Sequence, residues 1–435
     1  MTAVDLERET AAVLGELIRF NTVNPPGAER ACAEWLRDYL AGAGLSTELA
    51  GAEDGRPNLV AWLGDPDDGG PVLGYLGHTD TVLADSDAWS RDPWDGGVHD
   101  GFLWGRGAID MKSQVAAEAV AAAHLARNGW RPARGALKVF AVVDEETGGA
   151  LGAQWLTHER PDLARCDYLL NEGAGAVMPY GDRRLYGVCC AEKGTFRFAL
   201  TTHGRAGHAS VPAMADNALL KLVPILQRLA DAELPFDLTD ETRGLLRGLG
   251  EDDADPAGAL ARIEATEPRI APIVRANLGL TVSPTMAFAS EKINVIPNAA
   301  SVHVDCRAPA GMGPDAVQAR LEPLLDGAEL SWLQTAVGNA SPVESPLMDA
   351  ICEWVGASDP GADAIPTVLP AFTDSRWWRA AFPDCVAYGF FPQRHQSLYE
   401  AWPLIHGADE RIDVRDLGVA AGFFAELPLR LLGGG

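Results

Sequence analysis

The stretch Val72-Leu-Gly-Tyr-Leu-Gly77-His78-Thr79-Asp80-Thr81-Val82 decides how this chain is read. A short apolar run ends in a loop that carries an imidazole and a carboxylate. Val72–Leu76 does not alternate, and neither do the Val- and Leu-rich runs Asn58–Leu63 and Ala136–Val143. Runs of this kind are expected of strands covered on both faces. Around them, Asp5 to about Phe20, Glu29 to about Ala43 and Lys112–Arg127 have helical spacing, with Asn24-Pro25-Pro26-Gly27 as a break between the first two. Strand–helix alternation predicts an α/β sheet whose active groups gather at strand ends.

Near residue 190 the pattern changes. Thr195–His203 alternates, with Phe196, Phe198 and Leu200 against Arg197, Ala199 and Thr201, which predicts a half-exposed antiparallel strand. A helix from about Asp216 to Ala230, an acidic polar stretch (Asp237–Ala257) and strands at Ala276–Val282 and Ala300–Arg307 follow. This is the content of a small α+β domain inserted in the larger one. The expected division is residues 1–188 and 309–435 for the outer domain and 189–308 for the insertion. Helix–strand alternation returns after Pro314, ending in a helix at Leu417–Leu431.

Composition narrows the partners. The chain has 435 residues and a net charge of −26, without a Lys/Arg run. Nucleic acid and anionic membrane are therefore excluded as expected partners. Most of the acid reads as a solvated surface. Seven scattered cysteines (32, 166, 189, 190, 306, 352 and 385) form no C-x-x-C pair, which argues for a reducing compartment and against a thiolate metal site. The N-terminus lacks a basic start followed by an apolar stretch, and no segment reaches the ~20 apolar residues of a membrane span. A cytoplasmic protein is expected.

Four motifs put metal-type ligands after predicted strands or at a helix start, and a fifth stands near the C-terminus. His78 suits zinc, with Asp80 close enough to orient its ring. Gly105-Arg106-Gly107-Ala108-Ile109-Asp110-Met111-Lys112 places Asp110 where a helix begins, a position that most often holds an ordinary N-cap. Asp144-Glu145-Glu146-Thr147-Gly148-Gly149 stacks three carboxylates at a strand end, and a cation is the simplest relief of their repulsion. Asn171-Glu172-Gly173 follows another apolar run, and His406-Gly407-Ala408-Asp409-Glu410-Arg411 lies just before the last helix. Alone, each motif is weak. Two His, one Asp and two Glu with one Glu left over fit a hydrolytic two-metal site.

In this order, the motifs resemble those of the dinuclear zinc hydrolases that include acetylornithine deacetylase, succinyl-diaminopimelate desuccinylase, aminoacylase and glutamate carboxypeptidase. The resemblance covers nearly the whole chain. It implies a zinc-exopeptidase-like catalytic domain with a mixed, helix-flanked sheet and an inserted ferredoxin-like lid or dimerisation domain. Two Zn2+ per chain are implied, with Co2+ or Mn2+ as substitutes. Asp110 would bridge the ions, His78 and Glu172 would complete one site, and Glu146 and His406 the other. Glu145 would be the general base that takes the proton of the attacking water to give a metal-bound hydroxide, and Asp80 would support His78. The peptide Asp110–Met111 is expected to be cis.

In the insertion, Gly204-Arg205-Ala206-Gly207-His208-Ala209-Ser210 resembles the segment whose His reaches the partner subunit's site in a homodimer and steadies the oxyanion. Asn294 and Arg307 resemble contacts to the substrate carboxylate, for which the guanidinium fork is suited. Turn-forming and surface-pairing roles are the plain alternative for these two. Thr373-Asp374-Ser375-Arg376 looks nearest to the vacuolar carboxypeptidase and N-acyl-amino-acid hydrolase branch, making Arg376 a second carboxylate contact. Leu83 and Ser113 depart from the family's usual Pro and Gly without touching a ligand. The expected substrate is an N-acyl amino acid or short peptide with a free carboxylate. Two rivals stand beside that reading. A non-catalytic binding protein would not need the intact base and ligands, and a two-metal phosphatase or nuclease would call for basic residues near the metals.

Overall fold

The apolar run around Tyr75 forms a central strand, Val72–His78, buried along its whole length. Its side chains divide between two layers. Leu73 and Tyr75 join a core with Leu17, Ile18, Leu36, Val120, Phe423 and Phe424, whereas Val72 and Leu76 join another with Phe140, Leu156, Leu169 and Trp378. Both faces are thus covered, as the unbroken apolar pattern requires. The computed structural model describes residues 3–434. Among these, a nine-stranded mixed sheet runs in the order Ser46–Ala50, Asn58–Gly64, Ala136–Val142, Val72–His78, Tyr168–Asn171, Val386–Gly389, Arg183–Glu192, Ala362–Leu369, with Val177–Tyr180 paired to Arg183–Glu192. One layer is made by the helices Ala3–Arg19, Arg30–Ala43, Lys112–Arg127 and Val414–Leu431. The Lys112–Arg127 helix is Ala-rich and buried from Lys112 to Ala123, so small side chains let it lie close to its neighbours. Trp378 fills the other layer, its ring 5.2 Å from that of Phe140, so core packing is its role.

The chain forms two units: Met1–Cys190, Ser341–Thr367 and Thr373–Gly435 make one, and Ala191–Ala340 with Val368–Phe372 make the other. The second contains a four-stranded antiparallel sheet in the order Thr281–Phe288, Ala299–Ala308, Gly194–His203, Glu329–Ala336. The helices Ala218–Asp231 and Pro314–Leu325 cover one of its faces. In chain order this is β-α-β-β-α-β, the ferredoxin-like arrangement, with further helices at Asp240–Leu249, Pro256–Thr266 and Ala271–Asn277.

Two expectations change here, the insertion's end and the strand at Ala276–Val282. The insertion does not end at residue 308 but runs to Ala340. The split β-α-β needs its second helix and fourth strand to close the sheet, and Pro314–Leu325 and Glu329–Ala336 supply them. The acidic stretch is largely helical, because Thr239 caps Asp240–Leu249 with a capping box. Ala276 lies in the last turn of the helix Ala271–Asn277, and the strand expected at Ala276–Val282 is Thr281–Phe288. Phe196 and Phe198 lie in this unit's own core, both edge-on to Trp332, so helix packing covers that strand face. No described helix is long and apolar enough to cross a membrane, and among the described residues no cysteine is in a disulfide.

Candidate metal centre

Parallel pairing brings the motifs together. Val72–His78 lies between Ala136–Val142 and Tyr168–Asn171 and runs parallel to both, with His78 opposite Val142 and Tyr75 opposite Leu170. The carboxyl ends of the three strands therefore open on one edge, where α/β sheets place their ligands. His78 and Asp80 come from the first strand end, Glu145 and Glu146 from a 3-10 turn after the second, and Glu172 from just beyond the third. Asp110 arrives on the loop before the Lys112–Arg127 helix, and the Asp110–Met111 peptide is cis, as expected. Met111, not Asp110, occupies the cap position, so Asp110 is not used as an ordinary N-cap. His406 lies on the loop before Arg411–Asp413, which pairs with Phe102–Trp104.

Asp110 stands at the centre. Its Oδ1 is 3.1 Å from His78 Nε2, and its Oδ2 is 3.1 Å from His406 Nε2. His78 Nε2 is 3.7 Å from Glu172 Oε1, and His406 Nε2 is 3.3 Å from Glu146 Oε2. The other ring nitrogen of His78 lies 3.0 Å from the Asp80 carbonyl and 3.5 Å from its carboxylate. Donor atoms within 4.8 Å of one another form two groups, His78 with Glu145 and Glu172, and His78 with Asp110 and Glu146.

The electrostatics of the cluster favour positive charge. Burial, and then the charge of Glu172, push the Glu145 carboxyl well above the ordinary range. Burial, and then Asp110, do the same to Glu172. Asp110 and Glu146 raise His406 to about 10. In His78, burial works against protonation, but Asp110 and Asp80 outweigh it and hold the ring well above its usual value. Protons are stabilised wherever a cation would neutralise the carboxylates. Oxygen and nitrogen donors, one carboxylate facing two imidazoles, and a buried Glu146 Oε1 without a hydrogen-bond partner fit divalent metal.

Some supporting residues were not assigned a role from sequence. Asn24, read only as part of a helix break, donates Nδ2 to Asp80 Oδ2 at 2.9 Å and to Asp144 Oδ1 at 3.1 Å. Asp144 also receives Arg56 and the Leu151 amide, so it anchors its turn through protein contacts rather than joining the donor groups. Asn171 donates to Thr373 and Ser375. Glu410 and Arg106 both stood in quoted motifs, and they form a buried pair at 2.6 Å. Nothing local in the sequence marks these contacts, since the partners are up to 304 residues apart.

Arg376, in the same unit, lies 4.4 Å over the Trp377 ring with Nη2 3.5 Å from the Gly148 carbonyl. The remaining candidates lie in the second unit. His208 is exposed on the short strand Gly207–His208, opposite Val295, with Nδ1 2.7 Å from Ser210 Oγ. Asn294 is exposed, and its carbonyl accepts the Ala209 amide at 3.0 Å. Arg307 already meets Asp305 through Nε at 2.7 Å and Thr195 through Nη1 at 2.9 Å. Asp305 is shared with Arg197 at 3.0 Å, so this trio keeps one net positive charge.

A cluster of nitrogen and oxygen donors at the strand ends of a doubly covered mixed sheet is the site of a metallohydrolase. Residues 74–430 match the peptidase family M20/M25/M40, and the chain belongs to that family. It is 29% identical over 423 residues to a succinyl-diaminopimelate desuccinylase of Methylorubrum extorquens, covering 93% of this chain and 94% of that one. A second desuccinylase, from a Ruegeria species, is 34% identical over 224 residues, about half of either chain (50% and 53%). Among solved structures, the M20 family metallo-carboxypeptidase Sso-CP2 of Sulfolobus solfataricus has a TM-score of 0.74 at 18% identity, covering 98% of this chain and 99% of that one. Human carnosine dipeptidase 1 has a TM-score of 0.66 at 16% identity, covering 98% and 97%.

Proposed function

We propose that the protein hydrolyses the amide bond of an N-acyl amino acid or short peptide with a free C-terminal carboxylate, using two zinc ions per chain. The observation that carries this reading is the Asp110 carboxylate, with one oxygen facing His78 and the other His406. Asp110 would bridge the ions, His78 and Glu172 would hold one, and Glu146 and His406 the other. Bound ions of this kind polarise the scissile carbonyl and acidify the attacking water. Glu145 is the carboxylate left to take the water's proton and pass it to the leaving nitrogen, and its raised affinity for a proton suits that task. Asp80 fixes the His78 ring.

His208 would donate to the carbonyl oxygen as negative charge develops there, and Asn294, Arg307 and Arg376 would receive the substrate's carboxylate. A homodimer that carries His208 to the partner's site fits this unit. Met214, Leu220 and Val223 are exposed on or beside the Ala218–Asp231 helix, and Met286 and Phe288 on the edge strand Thr281–Phe288. A cytoplasmic location agrees with cysteines that form no disulfide among the described residues.

The test is amine release from a panel of N-acyl amino acids and dipeptides, with and without chelator. Similarity to a desuccinylase puts N-succinyl amino acids in the panel, and the resemblance of Thr373-Asp374-Ser375-Arg376 to the N-acyl-amino-acid hydrolase branch puts other N-acyl amino acids beside them. Free carboxylates should react and the matching C-terminal amides should not. Equal rates on acids and amides, or activity untouched by chelator, would overturn the reading.

A further inference from the structure

Seven hydrogen bonds are made by one buried ion pair, between two loops, and the backbone around it. Glu410 is 0% exposed and Arg106 2%. Glu410 Oε1 accepts the amides of Ile109 at 2.6 Å and Asp110 at 3.0 Å. Its Oε2 accepts the Gly107 amide at 3.1 Å and Arg106 Nη1 at 2.6 Å. The other arm of the guanidinium, Nη2, donates to the carbonyls of Gly407 at 2.9 Å, Leu83 at 3.2 Å and His406 at 3.4 Å. The loops meet because Phe102–Trp104 pairs with Arg411–Asp413 in the register Trp104 opposite Arg411. The Gly105 amide continues that pairing to the Glu410 carbonyl at 3.0 Å.

We infer that Arg106 and Glu410 form a positioning strut that holds the backbones of Asp110 and His406 in one rigid frame and thereby sets metal affinity at the site those two share. The inference rests on the proposed reading of Asp110 and His406 as ligands. A buried ion pair is in itself a weak source of stability, and the contacts of this one fall on specific backbone groups. They are the amides of Asp110, Ile109 and Gly107 and the carbonyls of His406, Gly407 and Leu83. His406 has φ +59° and Asp409 φ +59°. Residues other than glycine are uncommon in this left-handed region and stay there only where their surroundings determine it. Arg106 grips the carbonyl of Gly407, directly after His406, and Glu410 directly follows Asp409. The pair also brings little net charge to the ligand Asp110, because Arg106 balances Glu410. A fork is required, since one cation must reach a carboxylate and a carbonyl on different sides, and lysine offers only a point charge.

The experiment compares wild type, Glu410→Gln, Arg106→Lys and His406→Ala as full-length chains. Zinc dissociation constants would be measured by competition with a chromophoric chelator, alongside kcat, KM and the Tm of the metal-free chains. Both strut variants should bind one zinc about 10–100-fold more weakly, with kcat reduced and KM little changed. Where Glu410→Gln fails to fold, Arg106→Lys carries the test, because it keeps the buried positive charge. A lower metal-free Tm with zinc affinity and kcat within about twofold of wild type would make the pair merely structural and overturn the inference. If His406→Ala binds zinc as wild type does, the ligand assignment falls, and the inference with it.

Discussion

Asp80 and Glu145 are joined through the backbone: the Glu145 amide donates to Asp80 Oδ1 at 3.2 Å, and the adjoining Glu146 amide to Oδ2 at 3.2 Å. The carboxylate behind His78 therefore also holds the turn that bears the proposed base and a proposed ligand. Asn24 adds a third hydrogen bond to that carboxylate. Asp80→Asn keeps the size but presents an amide donor where one of these amides needs an acceptor. It should lower zinc affinity or kcat by about 10–100-fold. Chelator competition and steady-state kinetics on the same preparation check this, and unchanged values would show that Asp80 only fills space.

Glu145→Gln separates base from ligand. Turnover should fall by about 10²–10⁴-fold, while elemental analysis still finds two zinc ions per chain. Glu145 lies within donor distance of His78 and Glu172, so loss of an ion in the variant would make it a ligand instead. A wild-type chain that is active with one ion would end the two-metal reading.

Glu118 should make stability depend on pH. It lies fully buried on the Lys112–Arg127 helix, Oε1 accepts Gln114 Nε2 at 2.9 Å, and Oε2 has no hydrogen-bond partner. Burial raises its pKa well above 4.5, and the Gln114 hydrogen bond only partly opposes that. The folded state therefore keeps its proton after the unfolded chain has released it. Stability from this group is complete below pH 4.5 and is lost as pH rises from there toward the folded pKa. The loss amounts to about 1.4 kcal/mol per pH unit in that window. Glu118→Gln keeps the Oε1 acceptor and cannot ionise, so it should raise Tm at pH 8 more than at pH 5. Thermal unfolding at both pH values decides it, and equal shifts would count against a buried acid.

Complementation tests the composite site. His208→Ala and Glu145→Gln should each be nearly inactive, and mixing the two chains under conditions that exchange subunits should restore activity. A mixed dimer would then hold one site with both residues intact. Exchange shown by mass without recovered activity would place the action of His208 within its own chain or deny it a role. A monomer with full activity would refute the dimer.

The element types near the site were legible because they depend on local pattern. Val72–Leu76 and Ala136–Val143 lack alternation since both faces are buried, and the Lys112–Arg127 helix was read at its observed limits. The insertion's end was not legible. Residues 309–340 carry an ordinary helix–strand pattern, and only their pairing with Gly194–His203 assigns them to the second sheet.

From its own order the sequence determined which donor types follow which strands, and their ordered motifs identified the family. Tertiary structure decided how those donors face one another. Parallel register put three strand ends on one edge, the Arg411–Asp413 pairing brought His406 to Asp110, and Asn24, Arg106 and Glu410 took up work that no local pattern marks. The physical reason is one of range. Periodicity and turn chemistry act over a few residues and are written along the chain, whereas a buried carboxylate finds its partners only after folding. For Glu410 that partner is 304 residues away.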